Sequence, residues 1–176
     1  EYRDRFFITA ITLHLMAGNP YPPFYSAIDQ YFQQHPPAGT VTPRVIRDAV
    51  IAIRQAKLPD PGLVANTGSF FANPIVDEGT LTDLRTDNPT MPYWPVEGGG
   101  AKIPAAWLIE QVGFKDVHDA ETGMATWATQ PLVLVNESAT STAQLLTFRD
   151  KIITAVRQKY NITLKQEPEL LPKLTN

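Results

Sequence analysis

The residues best equipped for chemistry are one serine and a pair of acids. Ser69 follows Gly68, which lets the chain turn tightly, and precedes Phe70 and Phe71, whose rings can wall off water around a small hydroxyl. There is no Gly-x-Ser-x-Gly elbow and no histidine nearby in sequence to serve as a base, so by its residues alone Ser69 reads first as a turn former. Glu167 and Glu169 flank Pro168. The ordinary reading is a solvated charge pair; the functional one is a desolvated acid poised to move a proton.

Other constellations are weaker. His14, His35 and His118 are scattered, with no His-x-x-His or His-Glu-x-x-His pairing, which argues against a metal site. Residues 97–102 (EGGGAK) resemble a phosphate loop but have neither Walker spacing nor the Ser or Thr that would meet magnesium. They read as a flexible lead into the next helix.

The elements that must position these groups follow from periodicity. Residues 5–16 (RFFITAITLHLM) mix aromatic and β-branched residues with small or polar ones, which predicts a strand. Residues 18–39 hold five prolines around an aromatic cluster and read as a connector with one short helical turn near Ser26. Thr42-Pro43 opens a helix, with threonine as N-cap, proline at the first helical position and an apolar face of Ile46, Val50 and Ile53. It ends before Pro59, in a Pro- and Gly-rich crossing over 57–62 that is the best domain boundary.

Beyond it, 68–76 reads as a loop leading into a strand, and 77–100 as mostly irregular with a short helix near Leu81. Helices are predicted over 103–112 and from the Ser141–Gln144 capping box to about Lys159. Residues 124–127 and 132–135 form a hairpin, and 162–164 a last strand. Without a βαβ rhythm, the fold class is α+β.

Composition bounds the rest. The chain has 176 residues, no cysteine, and 15 Lys and Arg against 18 Asp and Glu. Disulfide scaffolds, thiolate metal sites and a cysteine nucleophile are excluded, and a broad nucleic-acid footprint is not expected. No apolar run approaches the roughly 18 residues of a membrane span, so no membrane partner is expected and the protein reads as soluble. Sixteen prolines are roughly twice the usual share of about 5%. The chain begins at Glu1 inside strand-like sequence and reads as a fragment.

Three blocks in order carry a resemblance: residues 57–61 (KLPDP), 68–74 (GSFFANP) and 102–110 (KIPAAWLIE). With support from YRDRF at 2–6, GFK at 113–115, QPLVLVN at 130–136 and residues 161–167, the chain closely resembles UDP-N-acetylenolpyruvoylglucosamine reductase, the MurB family of peptidoglycan synthesis.

The resemblance implies residues 1–57 as the C-terminal remnant of an FAD-binding domain, 58–160 as a substrate-binding domain, and 161–176 as a returning strand and tail. It implies a cytoplasmic flavoenzyme that uses FAD and NADPH to reduce the enolpyruvyl group of a UDP-sugar, with an N-terminal FAD domain as the partner missing from this chain. By the same resemblance Ser69 protonates the substrate carbon after hydride arrives from the flavin, and Glu167 helps stabilise the enol-type intermediate at the substrate carboxylate. The interval from Leu164 favours Glu167 over Glu169. Tyr2, Lys57, Asn73, Lys115 and Gln130 match positions that contact the UDP-sugar. Two lysines with amide and phenol donors suit a diphosphate, which needs charge and directed hydrogen bonds together. Without the flavin domain, the alternatives are an isolated UDP-sugar-binding module and a fragment with no competent site.

Overall fold

The computed structural model describes residues 6–170. The chain parts into two compact units between Arg54 and Gln55.

In the first unit, residues 6–16 belong to no strand, contrary to the expectation for 5–16. The apolar side chains there stand in the open, with Phe7 98% and Met16 89% exposed. A strand exists only through a ladder with a neighbour, and among the described residues none runs beside this segment. The connector also departs from expectation: α1 (Ser26–Gln34) is a full helix rather than one turn. Its sequence carries no proline, because Pro23 and Pro36 bracket it instead of interrupting it. Phe24 meets Phe32 edge-to-face at 6.0 Å and Tyr31 stacks on His35 at 4.5 Å. Helix α2 (Pro43–Lys57) starts as its sequence signals, with Thr42 Oγ1 accepting from the Val45 amide at 3.3 Å.

The second unit is an α+β assembly. Its elements are β1 (Asn66–Ser69), β2 (Ile75–Val76), α3 (Glu78–Asp87), β3 (Trp94–Pro95), β4 (Ala101–Lys102), α4 (Ala105–Gln111), β5 (His118–Asp119), β6 (Met124–Trp127), β7 (Gln130–Asn136) and α5 (Thr142–Tyr160). The larger sheet has the order β1-β7-β6-β5 and the smaller β2-β4-β3, with every pairing antiparallel.

Strand β7 explains its unbroken apolar run by being covered on both faces. Leu134 enters a core with Leu108 and Ile109 of α4 and Phe148, Ile152 and Val156 of α5. Val133 and Val135 point the other way, onto Ala125, Leu58 and Val64. The start of α5 is held by Gln144, whose Oε1 accepts from the Ser141 amide at 3.1 Å. On the same helix, Lys151 reaches Asp119 at 2.7 Å and Glu121 at 2.6 Å, tying it to the β5–β6 turn.

Two further expectations are corrected. The EGGGAK segment is not a flexible lead into the next helix: residues 97–100 turn the β3–β4 hairpin and Ala101-Lys102 are β4 itself, with Gly98, Gly99 and Gly100 all at positive φ. A Cβ on Gly100 would collide with the Val76 carbonyl of the neighbouring strand, so the glycine there serves close packing. Residues 162–164 form no strand among the described residues; Ile162 and Leu164 are buried in the core, and the nearby Gln166 makes an isolated bridge to Phe71. The preceding Asn161, at φ 54, closes α5 in a left-handed C-cap.

Candidate active site

Ser69 ends β1 and is exposed. It is not a turn residue. Asn66 lies opposite Val135 and Ser69 opposite Val133, so three steps along β1 match two along β7, and the register shifts between them. Gly68 absorbs the shift at φ 65, while its amide donates to Asn66 Oδ1 at 3.0 Å. The next residues are fixed firmly. The Phe70 amide donates to the Leu132 carbonyl at 2.8 Å, and Phe70 and Phe71 are each 1% exposed. Their rings meet edge-to-face at 5.1 Å. A water-facing hydroxyl thus sits directly beside a core anchor.

Against this segment lies the returning chain. The Ala72 amide donates to the Lys165 carbonyl at 2.9 Å, Gln166 bridges Phe71, and the Glu167 amide donates to the Phe70 carbonyl at 2.9 Å. Serine and acid, distant in sequence, are therefore carried on adjoining backbone. The Glu167 side chain is exposed, with Glu169 exposed two residues on. The desolvation expected of a poised acid is not provided by the described residues; the second carboxylate is the nearest negative charge along the chain.

Asn73 stands between two tasks. Its Oδ1 accepts from the Ala105 amide at 2.9 Å, satisfying a free donor at the start of α4, where Pro104 has no side-chain oxygen to offer. Its Nδ2 makes no hydrogen bond among the described residues. Asn73 also borders a cavity of about 500 Å³ with Asp77, Thr80, Thr163 and Lys165.

Lys57 and Gln130 come together through the residue between them in space. Thr129 Oγ1 donates to the Lys57 carbonyl at 2.7 Å, and Gln130 begins β7 opposite Trp127. Gln130 thus opens the strand whose Leu132 and Val133 face Phe70 and Ser69.

Lys115 is held on the other side of β6. Buried Thr126 donates to the Phe114 carbonyl at 2.7 Å and accepts from the Val117 amide at 3.1 Å, which fixes the loop around it. The Lys115 ammonium pairs with Glu110 at 2.7 Å, both side chains being nearly half exposed. Tyr2 lies outside the described residues.

Sequence reasoning missed the cluster around His118. Its imidazole Nδ1 lies 2.7 Å from Glu137 and Nε2 3.6 Å from Asp116. The hydrogen bond to Glu137, then its charge and that of Asp116, hold the imidazole pKa above its usual value. The register carries the signal: His118 faces Ala125, and Ala125 faces Val135, two residues before Glu137, so a small residue lets the pair reach across the central strand.

Among the described residues no group of three or more His, Asp or Glu side chains is arranged to hold a metal ion, and no helix is long and apolar enough to cross a membrane. The glycine-rich turn that resembled a phosphate loop is used in the β3–β4 hairpin.

A family model described as UDP-N-acetylenolpyruvoylglucosamine reductase, C-terminal domain, matches residues 60–171. The reductase of that name from Porphyromonas gingivalis is 44% identical over 128 residues, covering 73% of this chain and 37% of the relative. Its namesake from Amoebophilus asiaticus is 36% identical over 170 residues, 96% of this chain and 49% of the relative. That from Chromobacterium violaceum is 34% identical over 171 residues, 97% and 49% respectively. The chain spans about half the length of these relatives, or less. With more than half of its residues matched, the chain belongs to the UDP-N-acetylenolpyruvoylglucosamine reductase family, whose C-terminal domain it contains.

Proposed function

We propose that this chain is the substrate side of an FAD-dependent, NADPH-driven reductase that converts UDP-N-acetylglucosamine enolpyruvate to UDP-N-acetylmuramate for peptidoglycan. The flavin is held by an FAD-binding domain of the same protein, of which residues 1–57 are the C-terminal end, and it supplies the hydride when bound. Residues 58–160 bind the substrate, and 161–176 return the chain to the site.

The observation that carries this reading is the hydrogen bond from the Glu167 amide to the Phe70 carbonyl at 2.9 Å, which sets the acid segment beside Ser69. Ser69 gives its proton to the substrate carbon. A hydroxyl is a weak acid, so donation depends on a fixed geometry and on neighbours that stabilise the charge left behind. The bulge and the two buried rings supply that fixity. Glu167 faces the substrate carboxylate and helps stabilise the enol-type intermediate formed there. Lys57, Asn73, Lys115, Gln130 and Tyr2 bind the UDP-sugar, with the ammonium groups directed to the diphosphate.

A flavin absorbance spectrum followed by titration with the enolpyruvyl UDP-sugar tests the reading. For the whole protein, FAD-binding domain included, yellow colour and NADPH oxidation only in the presence of the substrate are the expected results. Since the chain spans about half the length of its relatives or less, a second reading has the chain by itself as a UDP-sugar-binding module without turnover. Colourless protein that still binds the nucleotide sugar would select it.

A further inference from the structure

Behind the acid segment lies a chain of polar contacts that the proposed chemistry does not yet use. Arg149 of α5 has a side chain only 21% exposed, with Nε on Asp150 at 2.8 Å and Nη1 on Gln166 Oε1 at 2.8 Å. The far end of the same amide is also engaged, as Gln166 Nε2 donates to the Pro168 carbonyl at 2.6 Å. The orientation of this amide is fixed by its partners: a guanidinium only donates and a carbonyl only accepts, so the flipped amide would satisfy neither. Pro168 has no N–H, which leaves its carbonyl as the one backbone group by which that residue can be tied down.

The backbone completes the enclosure. Lys165 accepts from Ala72, Gln166 bridges Phe71, and Glu167 donates to Phe70. Glu167 is thus gripped by its own amide on one side and by the Pro168 carbonyl on the other. Both grips run back to rigid parts of the core, one through Phe70 and the other through Arg149 to α5, beside the fully buried Phe148.

We propose that Arg149 and Gln166 are positioning residues of the candidate active site, forming a guanidinium–amide–carbonyl relay that fixes the 167–169 acid segment beside the strand bearing Ser69. The proposal rests on the reductase reading for its catalytic consequence, but not for the relay itself. An acid that must meet one substrate carboxylate loses rate when its backbone wanders by a fraction of an ångström, while remote binding contacts are unaffected.

The test uses Gln166→Leu, which removes both contacts, Arg149→Met, which keeps the stem and removes the donors, and Arg149→Lys, which restores one donor. Amide hydrogen exchange is followed at Glu167, with Phe148 and Ile152 as core controls, and steady-state kinetics are measured on the whole protein, FAD-binding domain included, with FAD bound and NADPH supplied. In the first two variants Glu167 exchange should rise about tenfold and kcat fall about tenfold, with KM for the UDP-sugar and flavin reduction by NADPH little changed. Arg149→Lys should recover most of both. Unchanged exchange at Glu167 in a variant with a protected core overturns the relay. A normal kcat in an active enzyme overturns its role in the reaction. No turnover by the unvaried protein overturns the reductase reading instead, and the relay is then decided by exchange alone.

Discussion

The amide of Glu167 donates to the carbonyl of Phe70 at 2.9 Å, joining the returning chain to the residue that follows Ser69. Through this bond a hydroxyl and a carboxylate from opposite ends of the domain share one stretch of paired backbone.

Replacing Ser69 by alanine in the flavin-loaded enzyme should leave flavin reduction by NADPH nearly intact and lower substrate turnover by about 100- to 10,000-fold. Stopped-flow measurement of the two half-reactions checks this. Equal loss in both would contradict the role of proton donor.

The two acids separate by parallel substitution. Glu167→Gln should slow turnover at least about tenfold and Glu169→Gln much less, because the amide of Glu167 is the one tied to Phe70. The reverse order in steady-state kcat would transfer the role to Glu169.

Asn73 holds the start of α4 and is proposed to bind the UDP-sugar, and the two roles can be parted. Asn73→Ala strips the Ala105 amide of its acceptor and should destabilise the domain by about 1 kcal/mol in urea unfolding. Asn73→Asp keeps an acceptor and should restore stability while weakening UDP-sugar affinity, since the donor is lost and a negative charge faces the diphosphate. If Asn73→Asp also bound normally, Asn73 would be structural only.

The Lys115–Glu110 pair, half in solvent, contributes little to stability. Glu110→Gln should therefore shift the unfolding midpoint negligibly, whereas Lys115→Ala should weaken UDP-sugar binding roughly tenfold by calorimetry, as expected for a charge-assisted hydrogen bond. Affinity unchanged in Lys115→Ala would remove it from the site.

His118 gives a pH dependence of known sign. Its pKa in the folded protein is raised by Glu137 first, then Asp116. The stabilisation is fully present below the unfolded value of about 6.5 and is lost as pH rises through the folded pKa. Thermal unfolding across that window should show the decline, and Glu137→Gln should flatten it. A profile indifferent to Glu137→Gln would mean the histidine is not the group responsible.

How much of this was legible beforehand depends on where each signal resides. Helix α2 and the capping of α5 were readable because Thr42, Pro43, Ser141 and Gln144 act on residues three or four positions away. The β6–β7 hairpin was readable for the same reason. Residues 5–16 misled because a strand-like pattern names a need for cover without naming the neighbour that provides it. Residues 162–164 misled in the opposite sense: the apolar side chains of Ile162 and Leu164 serve the core, and the bridge to Phe71 comes two residues later, at Gln166. At the site, the residue types of Ser69 and Glu167 were visible, but their meeting was not. It depends on Phe71 and Gln166 pairing across most of the domain, a tertiary fact that local pattern does not encode. The His118–Glu137 bridge was invisible for a similar reason, since it needs the register that brings small Ala125 between them.

Phe70 and Phe71 are neighbours in sequence, and both are sealed in the same core. Sliding that segment by one residue in either direction would drive Ser69 or Ala72 inward and force a ring into water, so the serine has one permitted setting along β7. Its placement is consequently as durable as the fold: the hydroxyl should hold its position until the domain unfolds as a whole, and no partial loosening should release it first.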